Sequence, residues 1–359
     1  MILGVGALPA VFGSLVTPLI LGRMGQKVLF LTSCGIWVVV ASVTAVVVCF
    51  HGSSLLLFLI VSFVLEFVAA TMYPAMGSYL PLLVKDSDLG TANSLRAVLT
   101  GIVQVAGPAL AAVLVAAGFL WQPWAGTAVL LGVALVVQTG LPKGEKAHVE
   151  EAGVLETLRS GLRYFRSCKG ILRIVVYSAV WHFFGYSVFM VAGPVVIRDG
   201  YSEVWLWGFL ESGMALGGIV GGLFGRTFEK APVGIVCIVS LFPLLALMGC
   251  LSFTVPAVVV VGVGVLFGAA LTVGGIAWTT AIQRSVPQGR LAEIFAYDYL
   301  FSDGFAPVGY LFAPVILLMG TTTAMVGVAV FLLILGCVFM VRFPAEFAGK
   351  EPSGVGTKE

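Results

Sequence analysis

Four ionisable residues sit where charge is expensive. Glu66 lies in VSFVLEFVAATMYP, His182 in VWHFF, Glu211 in FLESG and Asp303 in FSDGF, each inside a long apolar run. An ionisable side chain at membrane depth marks a substrate path or a proton relay unless a neighbouring helix pairs it. A carboxyl held there can sit protonated and exchange that proton as its surroundings change. An imidazole titrates near neutral pH, and Trp181, Phe183, Phe184 and Tyr186 could give His182 an aromatic setting. The expected chemistry is proton or substrate handling. Glu66 and Asp303 are the first candidates for coupling, and His182 and Glu211 for cavity contact. Each has a plainer reading beside it. Glu66 could hydrogen-bond a neighbouring helix, Glu211 could pair with Arg198 at a rim, and Asp298 could pair with a basic group near a gate, such as Arg23. Asp303 has no partner nearby in the sequence. Gln104 and Gln283 are further polar contacts.

The elements that carry these residues must be membrane helices. The chain is 60% hydrophobic and only 10% charged, with a mean hydropathy of +1.10, whereas soluble domains carry about 25% charged residues. A helix needs about 20 mostly apolar residues to cross the hydrocarbon core. Eleven segments qualify, at 1–22, 28–50, 54–84, 91–118, 122–141, 171–197, 204–225, 231–254, 257–283, 291–318 and 321–342. Nothing alternates as a barrel strand would. The expected fold class is an all-α polytopic membrane bundle.

Composition also excludes functions. A net charge of +2 does not suggest a nucleic-acid partner, and the six cysteines show no CxxC or other metal spacing. No Walker loop, HExxH or nucleophile elbow is present, which argues against an ATP-driven pump or an enzyme. No metal is expected, and no cofactor beyond a proton gradient.

Orientation follows from Lys and Arg. Of the 19 such residues, all but Arg198 fall on one side when alternate loops share a face. That side is expected to be cytoplasmic, with the C-terminus on it and the plasma membrane as location. The domains expected are an N-terminal half (1–141), a cytoplasmic linker (142–170), a C-terminal half (171–343) and a polar tail (344–359). Within the linker, Val154, Leu155, Leu158, Leu162 and Phe165 recur at helical spacing, with Arg159, Arg163 and Arg166 off that stripe. This reads as an amphipathic helix on the inner leaflet, its basic residues drawn to anionic lipid.

An internal echo organises the chain. A shift of 202 residues places Leu89 on Leu291, Gly107 on Gly309, Ala111 on Ala313, Val113 on Val315 and Gly118 on Gly320. It also places Arg96 on Asp298. Parallel repeats of membrane spans point to a secondary transporter with a site where the halves meet. Six spans per half would then leave the first half, with five, short of its first helix.

The local motifs carry a resemblance. The loop from Pro18 to Lys27, PLILGRMGQK, resembles the GxLaDRxGRK signature of the major facilitator superfamily, with Arg23, Gly25 and Lys27 matching. Gly22 replaces the motif's acidic residue, Pro18 its leading glycine and Gln26 its second arginine, so the family's usual cytoplasmic latch is incomplete. Gly107-Pro108-Ala109-Leu110-Ala111-Ala112 resembles the GPxxGG signature of antiporters, with alanines for the glycine pair. Leu82 and Val84, then Leu89-x-x-Ala92-Asn93-Ser94-Leu95, with Ala296-Tyr297-Asp298 and Gly309, resemble the macrolide and siderophore exporter branch. The resemblance implies proton-coupled export of a small amphiphilic molecule by a protein that is monomeric by default. It casts Arg23, Gly25, Lys27, Arg96, Gly107, Pro108 and Asp298 as gate or structural residues. Metabolite uptake, or a non-transporting scaffold or sensor, are the alternatives.

Overall fold

The computed structural model describes residues 9, 12–13, 16–17, 19–21, 23–52, 54–142, 154–201, 205–228 and 231–342. No strand occurs among them. Helices α1 (Gln26–His51), α2 (Leu55–Leu83), α3 (Leu89–Ala116) and α4 (Gln122–Thr139) precede the linker helix α5 (Val154–Ser167). Then come α6 (Lys169–Val180), a π-helical turn (Trp181–Tyr186), α7 (Ser187–Gly200), α8 (Leu206–Phe224), α9 (Val233–Val239) and α10 (Phe242–Ser252). The chain ends in α11 (Ala257–Ser285), α12 (Gln288–Phe301), α13 (Ala306–Leu317) and α14 (Thr321–Arg342).

Eight helical runs among the described residues are long and apolar enough to cross a membrane. Their outward faces stay apolar: Phe50, Val258 and Val341 are 77%, 78% and 82% exposed, as a surface bathed in lipid requires. The expected segment 1–22 lies largely outside the described residues, as does the tail. Segment 91–118 corresponds to the single 28-residue helix α3, which starts two residues earlier and ends at Ala116. Segment 291–318 is not one helix. It stops at Phe301, passes through a short 3₁₀ turn at Asp303–Phe305 and restarts as α13. The sequence explains the break. Pro307 has no N–H to give the Asp303 carbonyl, and Gly304 adds backbone freedom at the same place.

By contacts the chain forms two compact units. One gathers Met1–Leu83, Ala106–Arg163 and Pro287–Leu300; the other gathers Val84–Val105, Tyr164–Val286 and Phe301–Glu359. In the first, α1 meets α2 where the Phe30 and Tyr79 rings lie edge to face at 5.1 Å. It meets α4 where Lys27 Nζ donates to the Thr139 carbonyl at 2.6 Å. Lys27 thereby caps the carbonyl end of α4, where a cation is favoured. Gly25, just before α1, has φ 77° and ψ 164°, a conformation that glycine alone adopts without strain. Two of the three matching motif residues thus have a structural task in turning the chain and tying it down.

Helix α12 is enclosed. Every residue from Leu291 to Asp298 is buried, Glu293 and Asp298 included. Phe295 fills the space beside Gly77, where a Cβ would fall 2.7 Å from its ring. Gln288 Nε2 donates to the Ser78 carbonyl at 2.6 Å, and Arg290 pairs with Glu293 at 2.9 Å. The linker helix closes another side, with Tyr297 Oη donating to the Leu158 carbonyl at 2.6 Å. In the second unit, Phe165 of α5 stacks on Phe301 at 5.8 Å and is 1% exposed. At Phe165 the linker's apolar stripe meets protein.

The second unit is built on close backbone contact. A Cβ on Gly217 or Gly221 of α8 would strike the carbonyls of Val265 and Ala269 on α11, and one on Gly268 would strike that of Met214. Gly222 faces Val98 and Ser94 of α3 instead, and Gly225, just past α8, lies between Ile276 of α11 and Ser94 of α3. The glycines of α8 serve two neighbours, which matches close helix approach through small residues.

Candidate functional site

The π-helical turn puts one extra residue into a membrane span at Trp181-His182-Phe183-Phe184-Gly185-Tyr186. Such bulges misalign the backbone bonds and concentrate at functional sites. Gly185 leaves room for the Leu332 side chain, whose methyl would lie 2.7 Å from a Cβ there. Ser187 repairs the turn. Its single hydroxyl proton serves the His182 carbonyl at 2.7 Å and the Ala306 carbonyl, at the restart of the broken span, at 2.8 Å. Gly309, one turn further along α13, lies directly against Ser187 and the Phe183 carbonyl with no room for a side chain. The widened turn and the broken span are fastened to each other.

His182 and Asp303 meet at that junction. Nε2 of His182 lies 3.1 Å from Oδ1 of Asp303, with the imidazole 16% and the carboxyl 49% exposed. Asp303, which has no partner nearby in the sequence, receives one from another helix. On its other side, His182 Nδ1 lies 2.8 Å from the Ser178 carbonyl and 3.2 Å from the Ser178 hydroxyl. A carbonyl only accepts, so the shorter contact assigns a proton to Nδ1. The Nε2–Asp303 contact then needs one further proton, on Nε2 or on the carboxyl. Without it, a lone pair faces a carboxylate and the contact repels.

Other groups surround it. Trp181 stacks on Tyr186 at 5.9 Å and meets His182 edge to face at 5.0 Å. Arg198 binds its neighbour Asp199 at 2.7 Å, so the plainer reading of Glu211, a rim pair with Arg198, is not the one the structure shows.

A second polar cluster lies in the same unit. Asn93 of α3 is 3% exposed and donates to Thr280 Oγ1 at 3.0 Å and Gln283 Oε1 at 2.7 Å. Beside it, Arg284 donates to the Asp86 carbonyl at 3.1 Å and approaches the Asp86 carboxylate at 3.7 Å. Both contacts tie the start of α3 to the end of α11. Asn93→Leu keeps the shape and removes both donated bonds. It is expected to cost about 1–3 kcal/mol of stability, measurable as a lower unfolding temperature in detergent.

The remaining candidates are dispersed. Glu66 is exposed on α2, Arg23 is exposed, and Arg96 is half-buried on α3. Asp298 is 4% exposed on enclosed α12. A Cβ on Gly107 would meet nothing within 4 Å, unlike its repeat partner Gly309, and Pro108 lies within the continuous helix α3. Sequence reasoning missed Ser178, Ser187, Tyr310 and the bonding role of Asn93. The serines at 178 and 187 flank His182 by four and five residues, a spacing that could have flagged them.

A bundle of long apolar helices with a mean hydropathy this high defines a polytopic membrane protein. The Major Facilitator Superfamily profile matches residues 1–309, and the chain belongs to that family. Solved structures agree on the fold. The human organic anion transporter MFSD10 (TETRAN) aligns with TM-score 0.73 and 14% identity, over 94% of this chain and 83% of that one. The proton:xylose symporter XylE gives 0.64 and 12%, over 94% and 84%. A single-residue variant of the E. coli fucose:proton symporter FucP gives 0.67 and 11%, over 94% and 90%. At such identities the likeness is of fold alone. Among curated proteins, no sequence relative was found.

Proposed function

We propose that the chain is a secondary active transporter of the plasma membrane, exporting a small amphiphilic molecule in exchange for protons by alternating access. The observation that carries this reading is the 3.1 Å contact between His182 and Asp303 at the junction of a π-helical turn and a broken span. A proton that decides whether two helices are joined can decide which way a path opens. Glu211, Tyr186 and Tyr310 supply polar contacts to a bound molecule, while the ring of Phe183 supplies an apolar one. Glu66 is a second carboxyl for proton handling, in the other unit. Arg23, Arg96 and Asp298 act at the gate, with Gly107 and Pro108 shaping α3. The chain works as a monomer with its C-terminus in the cytoplasm, and the exporter branch of the resemblance supports the direction.

The test uses purified protein in vesicles with an acidic lumen, sorted by orientation. With the cytoplasmic face outward, an amphiphilic dye is expected to accumulate in the lumen as protons leave, and an uncoupler should abolish this. Gradient-driven movement only toward the cytoplasmic face would favour metabolite uptake. Dye binding without flux in either orientation would favour a sensor or scaffold.

A further inference from the structure

The linker helix carries a feature that transport chemistry leaves unused. Phe165 stacks on Phe301, the Leu158 carbonyl is bound by Tyr297 and Gly161 is buried, so α5 rests on protein along this side. Gly161 makes the approach possible, since a Cβ there would already lie 3.1 Å from the Tyr297 ring. What remains outward is basic. Arg159, Arg163 and Arg166 are all exposed, at spacings of four and three residues that place them on one helix face. One residue after α5 ends, α6 opens the span Lys169–Gly200, and Lys169 is exposed as well. Glu156 is the only acidic residue between 154 and 173. The stripe therefore runs to the point where the chain enters the bilayer, the depth at which lipid phosphates lie.

We propose that Arg159, Arg163 and Arg166 bind the headgroups of anionic phospholipids, and that this contact holds α5 against Tyr297 and so steadies α12. Guanidinium groups match phosphate in charge and in fork geometry, and juxtamembrane basic clusters recognise anionic lipid in this way. The partner is a lipid surface, because the stripe is continuous with a membrane span. The anionic lipid acts as a clasp on a helix that is already enclosed on its other sides. The placement in the cytoplasmic leaflet rests on the orientation proposed above, but the contact itself does not, since a nanodisc offers the same lipid on both faces.

The test is hydrogen exchange of the full chain in nanodiscs of phosphatidylcholine, with and without phosphatidylglycerol. Peptides covering 154–167 and 291–301 are expected to exchange roughly tenfold more slowly, or slower still, in the anionic discs. R159Q/R163Q/R166Q should lose that difference, whereas R159K/R163K/R166K should keep most of it. Y297F should speed exchange of α5 in both lipids. Equal exchange of the wild type in the two discs, or a lipid effect that survives in the glutamine variant, would overturn the headgroup site. An unchanged Y297F would overturn the coupling to α12.

Discussion

Asp303→Asn is expected to abolish the pH dependence of transport while leaving the protein folded. The amide can donate a hydrogen to the Nε2 lone pair of His182, so the contact 3.1 Å across closes with no added proton. The junction is then held at every pH. Hydrogen bonds to charged groups are worth about 1.5–3 kcal/mol, so gradient-driven flux should fall about 10- to 100-fold. Exchange of the dye at equal pH on both sides should suffer less. His182→Gln removes the titrating ring and should show the same flat profile. Should Asp303→Asn keep the wild-type pH profile, the pair has no part in coupling, and Glu66 becomes the carboxyl to test.

The second large effect concerns stability. Gly268→Ala places a Cβ against the Met214 carbonyl, and no rotamer change can relieve a clash with backbone. The helices α8 and α11 must separate, and overpacking of this kind costs about 1–3 kcal/mol. Alanine's better helix propensity returns about 1 kcal/mol, so the clash wins. Gly262→Ala, on the same helix, is the control, because a Cβ there meets nothing within 4 Å. It should be neutral or slightly stabilising. Thermal unfolding in detergent separates the two, at roughly 2–4 °C per kcal/mol. Equal melting temperatures would mean that α11 can shift on α8 at little cost.

Much of this architecture is legible in the amino-acid order, for physical reasons. Hydrocarbon solvent demands long apolar helices, so α1, α2, α4 and α14 stand close to where hydropathy puts them. The glycines of α8 announce close approach, yet spacing alone cannot say that Gly217 faces α11 while Gly222 faces α3. The break in the span near Asp303 had its signal in Gly304 and Pro307, which a count of apolar residues passes over. The π-helical turn has no such signal, because one added residue leaves the composition of a span unchanged. His182 and Asp303 were each visible as ionisable groups in apolar runs. Their pairing was not, since it joins positions more than a hundred residues apart through packing that only the folded chain defines. Arg198 shows the opposite error: a more distant partner, Glu211, was weighed while Asp199 stood next to it.

The divided span also bears on how the protein is made. The translocon passes into lipid those segments that are apolar over a full crossing, and each Asp or Arg near the centre costs about 2.5–3.5 kcal/mol. The stretch from Gln288 to Leu317 carries Arg290, Glu293, Asp298 and Asp303 and breaks at Ser302. Alone it should insert poorly, as glycosylation mapping of the isolated segment would reveal. Its partners His182 and Ser187 are synthesised earlier, so the nascent chain already holds in the membrane the groups that receive this span. Insertion of α14, which emerges after it, then adds a further apolar helix beside it.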